Sequence, residues 1–159
     1  MNSGRFWLLA ASLAGVAFVV SPGCGGGTGS PCTSCPPIEG TYAMEFVPGP
    51  VPQDCAAIGV QLPQGPLEIE RTGPQLTASL NGVELTGTLY ASYDFSLLSS
   101  PTQRDGGVDT FTLNGRYIPV LRDGGTPQIN GTFLGNYTRT PPQGTQRCTL
   151  NRSYTATPD

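Results

Sequence analysis

This chain of 159 residues contains no histidine and no lysine. Without histidine it lacks the commonest general base and the usual side-chain ligand of transition metals, so neither a hydrolytic enzyme nor a metal protein is indicated. Its basic residues are eight scattered arginines, which leaves no basic patch of the kind that binds nucleic acid. We therefore predict a protein that is not an enzyme and has no cofactor, no metal and no nucleic-acid partner.

Charge is scarce, and long helices are disfavoured. Only 12% of the residues are charged and the formal net charge is −3, so self-repulsion does not favour a disordered chain. The 22 glycines and 16 prolines interrupt the sequence too often for helices of any length. A β-rich folded domain is the remaining class.

No apolar run is long enough for a permanent membrane span. The longest, residues 6–20, would reach only about 22 Å as a helix, against roughly 30 Å of bilayer hydrocarbon. It follows a start that carries a single positive charge at Arg5. This arrangement is typical of a secretory signal, and residues 1–23 are predicted to be a signal peptide.

The end of this apolar segment, Ser21-Pro22-Gly23-Cys24, resembles the lipobox of bacterial lipoproteins. The resemblance implies that Cys24 is acylated, becomes the new N-terminus and holds the protein on a membrane without spanning it. Gly25 stands where enteric lipoproteins kept at the inner membrane have Asp, so the resemblance implies the outer membrane. Ordinary signal-peptidase cleavage nearby is the alternative.

The five cysteines support the lipid. An odd number would leave one free thiol in an exported protein, and removing Cys24 leaves four. Four cysteines allow three connectivities, which spacing does not distinguish. We favour Cys55 with Cys148, inside the folded region, and Cys32 with Cys35, outside it.

Composition divides the mature chain into a tether and one domain. Residues 24–37 are rich in Gly, Ser, Pro and Thr and are predicted to be a flexible linker. Residues 38–159 are long enough for one domain with one core. A second domain would not fit.

Apolar residues alternate with polar ones throughout this domain, which predicts strands. Asn81-Gly82 is a strong hairpin signal, whereas Tyr90-Ala91-Ser92 is either a hairpin loop or part of one long bent strand. Counting a hairpin there gives eight strands, whose apolar positions lie within residues 40–47, 67–70, 76–80, 83–89, 93–97, 111–117, 129–137 and 148–154.

Eight short antiparallel strands in sequence favour an all-β, up-and-down barrel, with a two-sheet sandwich as the alternative. Inward glycines at 87, 115, 131 and 135 suit strongly bent strands. Gly40-Thr41-Tyr42 on the first strand, with Arg152 on the apolar phase of the last, resembles the lipocalin-type arrangement. That resemblance implies that Arg152 stacks over Tyr42 and helps to close the barrel.

Two acidic patterns have both a structural and a chemical interpretation. The repeat Arg-Asp-Gly-Gly, at 104–107 and 122–125, predicts two hairpin turns, and the alternative is a calcium site drawing on Asp105, Asp109 and Asp123. Glu68 and Glu70 share one strand face, but their phase opposes the apolar residues. We interpret them as a solvated stripe rather than a catalytic pair.

The remaining functional idea is a ligand cavity inside the barrel, since an eight-stranded barrel can hold one small molecule. The first hypothesis is thus a non-enzymatic, lipid-anchored envelope protein that binds a small apolar ligand or contributes to envelope structure. The alternative is a protein–protein adaptor that uses the outside of the barrel. The candidate wall residues, equally suited to a filled core, are Tyr42, Phe46, Tyr93, Phe95, Phe111, Tyr117, Phe133, Tyr137 and Tyr154.

Overall fold

The computed structural model describes residues 29–104, 106–120, 124–142 and 144–159. Within these ranges no helix is long and apolar enough to cross a membrane. The elements, in chain order, are β1 (Gly40–Phe46), α1 (Gln53–Ala57), β2 (Leu67–Thr72), β3 (Gln75–Leu80), β4 (Val83–Leu89), β5 (Asp94–Ser99), β6 (Thr102–Arg104), β7 (Gly107–Ile118), β8 (Gln128–Arg139) and β9 (Gln146–Pro158).

Eight of the nine strands form a closed antiparallel barrel. Each strand of the series β1 to β5 pairs with the next, β7 pairs with β8 and β8 with β9, and β9 returns to β1. The pairing of β5 with β7, with Leu97 opposite Leu113, joins the two ends of the sheet. The prediction of an all-β, up-and-down barrel is confirmed, and the sandwich alternative is not formed.

The ninth strand, β6, was not predicted, and it continues β5 beyond a bulge. Leu98 of β5 lies opposite Thr112, whereas Thr102 of β6 lies opposite Asp109, so three residues face two. Pro101, which has no N–H, lies inside this irregular stretch. The buried Ser99 hydroxyl accepts a hydrogen bond of 2.8 Å from the Phe111 N–H and so replaces a ladder bond lost at the bulge.

The ambiguous stretch near residue 90 is a hairpin, not one long strand. The Tyr90 N–H donates to the Asp94 carbonyl at 2.8 Å, and the Tyr93 N–H donates to the Tyr90 carbonyl at 2.9 Å. The turn extends one residue further than predicted, because Tyr93 has a positive φ of 67° and does not join β5. Such a backbone is uncommon for a bulky residue.

The glycine-containing turns lie where the sequence predicts them. Asn81 and Gly82 both have positive φ, as the turn of a two-residue hairpin requires. The first Arg-Asp-Gly-Gly copy joins β6 to β7, with Arg104 opposite Gly107. The second copy lies between the paired strands β7 and β8, and its residues 122 and 123 are outside the described ranges.

We call the barrel end with the β2–β3 and β4–β5 turns the proximal end. It is covered by residues 29–38, which corrects the expectation that Cys32 and Cys35 lie outside the folded region. Cys32 is 4% exposed and Ile38 is 0% exposed. The Cys32–Cys35 disulfide is formed, and the Cys32 N–H donates to the Leu89 carbonyl at 2.9 Å. The described part of the predicted linker thus packs against the barrel.

The distal end, with the β3–β4 and β6–β7 turns, is covered by residues 47–66. Cys55 of α1 is completely buried and forms a disulfide with Cys148 of β9, so the second favoured pairing is also confirmed. Val60, in the same segment, is also buried. The prolines at its start, at 48, 50 and 52, have no N–H to donate to a neighbouring strand, which keeps this segment out of the sheet.

We predict that Ser99→Ala lowers the free energy of unfolding by about 1–3 kcal/mol, because it leaves the buried Phe111 N–H without a partner. Urea unfolding followed by circular dichroism measures this loss. The control is Ser153→Ala on the exposed face of β9, which should change stability by less than about 0.5 kcal/mol. Equal losses in the two variants would contradict the role given to the Ser99 hydroxyl.

Candidate functional site

The barrel interior is occupied by aromatic rings that pack edge to face. Phe133, which is 0% exposed, has its ring centroid 5.2 Å from that of Phe111 and 5.7 Å from that of Phe46. Phe111 also contacts Tyr137, and Phe46 contacts Tyr154. Such pairs contribute about 0.5–1.5 kcal/mol beyond area burial. These candidate wall residues, on the neighbouring strands β1, β9, β8 and β7, therefore contact one another as part of the core.

The other candidates also lie in the core or at the proximal end. Phe95 is buried against Gly115, and the Tyr42 hydroxyl donates to the Ile38 carbonyl at 2.7 Å. The Tyr117 hydroxyl donates to the Pro37 carbonyl at 2.8 Å. These two hydroxyls therefore fasten the proximal cover to the barrel wall. Tyr93, in its turn, packs partly buried against the core.

Inward glycines make room for tyrosine rings. A Cβ atom built on Gly131 would lie 2.8 Å from the Tyr154 hydroxyl oxygen, and one on Gly115 would lie 2.9 Å from it. A Cβ on Gly135 would lie 2.6 Å from the Tyr137 ring. These distances are shorter than any tolerable contact. The sequence predicts that these glycines allow strand bending, and the structure gives them a packing role.

Two interior hydroxyls, those of Tyr137 and Tyr154, have no hydrogen-bond partner among the described residues. Burial raises the pKa of both phenols far above its ordinary value, and the charge of Asp109 contributes at Tyr137. Burial also raises the pKa of Tyr42 to about 12, with smaller contributions from Tyr117 and Glu39. Ionising these tyrosines therefore opposes the folded state.

The structure does not bring together the two barrel-closure candidates. Tyr42 lies opposite Pro158 in the β1–β9 register, six positions from Arg152, or about 20 Å along the strand. The Arg152 guanidinium instead donates to the Pro50 carbonyl at 2.6 Å and lies against Gly49. The expected stacking is therefore wrong. Because the β1–β9 register sets this separation, residue phase alone did not reveal it.

A pocket of about 220 Å³ opens at the distal end beside a buried ion pair. The Arg139 guanidinium binds the Asp109 carboxylate with two hydrogen bonds, of 2.5 and 3.3 Å. Asp109 occupies an inward position of β7. A charged residue at a position of the strand where apolar residues are expected is the sequence signal that could have indicated the pair. Arg104 lines the same pocket and donates to the Asn81 carbonyl at 2.9 Å.

The acidic candidates form no metal centre in the part of the chain that the structure describes. Of the calcium candidates, Asp105 and Asp123 lie outside that part, and Asp109 is bound to Arg139. Glu68 and Glu70 lie on the exposed outer face of β2. Their interpretation as a solvated stripe agrees with this position.

A groove of about 490 Å³ crosses the outer surface of β5, β7 and β8. The half-buried Tyr90 lies at its proximal end, and the backbones of Gly115 and Gly131 form part of its floor. The strand register aligns its polar side chains in two neighbouring rows: Ser96, Asn114 and Thr132 in one row, and Asp94, Arg116 and Asn130 in the other.

An ordered ion pair stands at the edge of this groove. The Arg116 guanidinium donates to both oxygens of Asp94, at 2.6 and 2.9 Å, and the Ser92 hydroxyl donates to the same carboxylate at 2.7 Å. Hydrogen bonds from Arg116 and then from Ser92 lower the pKa of Asp94. The groove therefore presents a guanidinium in a defined orientation beside amide and hydroxyl groups.

The groove was not predicted, because its β5 residues meet those of β7 and β8 only when β5 pairs with β7. On each strand they occupy the outward polar phase, which alone indicates only a solvated face.

Cys24, the predicted lipidation site, lies outside the described residues. No protein-family model matches the chain, and no curated protein matches it in sequence.

We predict that Tyr154→Phe is at least as stable as the wild type at pH 7, because the phenol hydroxyl has no partner to lose. The raised pKa of Tyr154 stabilises the fold below about pH 10, and this contribution disappears as the pH rises towards the folded pKa. The variant should therefore lose less stability than the wild type between about pH 10 and 12. Urea unfolding at stepped pH measures both effects.

Tyr42→Phe is the control, because it removes a hydroxyl that does donate a hydrogen bond, to Ile38. It should lower stability at pH 7 by about 0.5–1.5 kcal/mol. A larger loss in Tyr154→Phe than in Tyr42→Phe would contradict the assignment.

Proposed function

We propose that this chain is a lipid-anchored, non-catalytic β-barrel of the bacterial outer membrane that acts through its outer surface as an adaptor in an envelope complex. The observation that carries the proposal is the position of the available binding volume. Aromatic rings pack against one another in the interior, and residues 29–38 and 47–66 cover the two ends. Partners must then be met on the outside.

The disulfides support an exported, lipid-anchored protein. Cys32–Cys35 and Cys55–Cys148 use four of the five cysteines, and such bonds persist in oxidising compartments. Cys24 is the remaining cysteine, and it stands in the segment that resembles a lipobox. An acyl chain on Cys24 would account for the odd thiol.

The groove on β5, β7 and β8 is the surface that we assign to the partner. It combines Arg116, a residue type that is enriched at protein interfaces, with amide side chains. Leu98, which is 56% exposed, lies two positions along β5 from Ser96 of the groove. The small-ligand hypothesis has no comparable support, because the interior is packed.

For the anchor, we expect the purified membrane form to have the mass of residues 24–159 plus acyl chains and minus four hydrogen atoms for the two disulfides. Intact-mass spectrometry tests this directly. Cys24→Ser should abolish co-flotation with lipid vesicles, because a chain without acyl groups has no anchor. A mass that begins elsewhere, or full flotation of Cys24→Ser, would overturn the anchor.

For the adaptor role, we expect a photo-crosslinking amino acid at Thr132, in the groove, to yield a discrete protein adduct in intact cells. The matched control is the same substitution at Thr77, an exposed position on the outer face of β3 on the other side of the barrel. Adducts of equal yield at both positions, or at neither, would contradict a partner surface on the groove.

A further inference from the structure

The described chain is fixed to the proximal end of the barrel from its first residues onward. A Cβ atom on Gly29 would lie 3.5 Å from the Tyr90 Cβ atom. The Ala91 N–H donates to the Ser30 carbonyl at 3.0 Å, and Pro31 forms a β-bridge with Tyr90. The chain is therefore already in contact with the barrel at Gly29, whereas the predicted linker extends to residue 37.

This attachment leaves a short tether. Five residue steps separate Cys24 from Gly29, and at about 3.6 Å per step their fully extended reach is at most about 18 Å. Residues 25–27 are all glycine, and the root-mean-square end-to-end distance expected for a glycine-rich chain of five residues is about 12 Å. The fully extended reach of about 18 Å is the limit on the distance between Gly29 and the acylated residue.

The barrel is taller than the tether is long. The 13 residues of β9 extend about 43 Å at about 3.3 Å per residue, and a strand tilt of about 35–45° reduces this to roughly 30–35 Å along the barrel axis. With the distal end on the membrane, Gly29 would stand farther from the lipid than the tether reaches. Chain geometry alone excludes that orientation.

We propose that the proximal end is a lipid-facing surface that rests against the membrane, with the distal end directed away from it. This inference rests on the proposed lipid anchor and adds an orientation to it. Two residues at this end suit a bilayer interface: Tyr90, which is half-buried with an amphipathic ring, and Val120, which is 53% exposed. The distal pocket beside Asp109 and Arg139 then faces the aqueous side.

The charges at the proximal end predict a contact that does not depend on anionic lipid. Arg71 is paired with Glu39 and Arg116 with Asp94, so these arginines add no net positive charge. Asp159, bonded through its N–H to the Thr41 carbonyl, adds a negative charge to the described part of this end. The anchor and the apolar contacts, rather than electrostatic attraction, would hold this end on the lipid.

The chain offers a clean reporter for the orientation. Its single tryptophan is Trp7, which precedes Cys24, so the proposed mature form has none. Tyr90→Trp and Val120→Trp place one fluorophore at the proximal end. Gln103→Trp, on the exposed face of β6, places one at the distal end as the matched control.

Each acylated variant is reconstituted into zwitterionic vesicles with and without bromine on the acyl chains, and co-flotation and tryptophan quenching are measured together. We expect all three variants to float, and quenching at positions 90 and 120 to be several-fold stronger than at position 103. Added salt should leave this ratio unchanged. Two proximal reporters guard against one variant failing to fold.

Floating protein with equal quenching at both ends, stronger quenching at position 103, or no quenching anywhere would overturn the orientation while leaving the anchor intact. A protein of the expected fold that does not float would overturn the anchor and, with it, the inference. The two proposals thus fail in distinguishable ways.

Discussion

The pairing of β5 with β7 is the constraint on which the rest of the structure depends. Without it the nine strands would form an open sheet with exposed edges at β5 and β6. With it the inner faces of eight strands enclose one volume. Phe133 meets Phe111 and Phe46 through the pairings of β7, β8, β9 and β1, and closure of the barrel places these rings inside the enclosed volume.

Packing the tyrosine rings inside the barrel depends on glycines in the strands and leaves two hydroxyls without partners among the described residues. Glycines at 115, 131 and 135 have no Cβ atom, and this absence leaves the space in which the rings of Tyr154 and Tyr137 lie over the strands. The phenol hydroxyls of these two rings remain without a described partner in the core. The same closure places Asp94 beside Arg116 on the outside, so the groove and the packed interior have one origin.

Much of the fold could be predicted from local patterns. Alternating polarity marked all eight barrel strands, and Asn81-Gly82 marked a hairpin that the structure contains. The short strand β6 and the longer turn at Tyr93 could not be predicted in this way, because a bulge and a strained φ depend on neighbouring strands. The predicted contact between Tyr42 and Arg152 is wrong. The alternation of polar and apolar residues shows which face of a strand a residue occupies, but not its height on the barrel wall.

The sequence by itself determined the strand periodicity, the even set of four disulfide cysteines, and the Cys24 segment on which the proposed anchor rests, since these depend only on residue type and spacing. The tertiary structure decided that the interior is filled, that residues 29–38 cover the proximal end, and that the groove residues meet. Those features depend on closure and register, which bring together residues far apart in the chain. They shorten the predicted linker, and the proposed orientation on a membrane rests on that shortening.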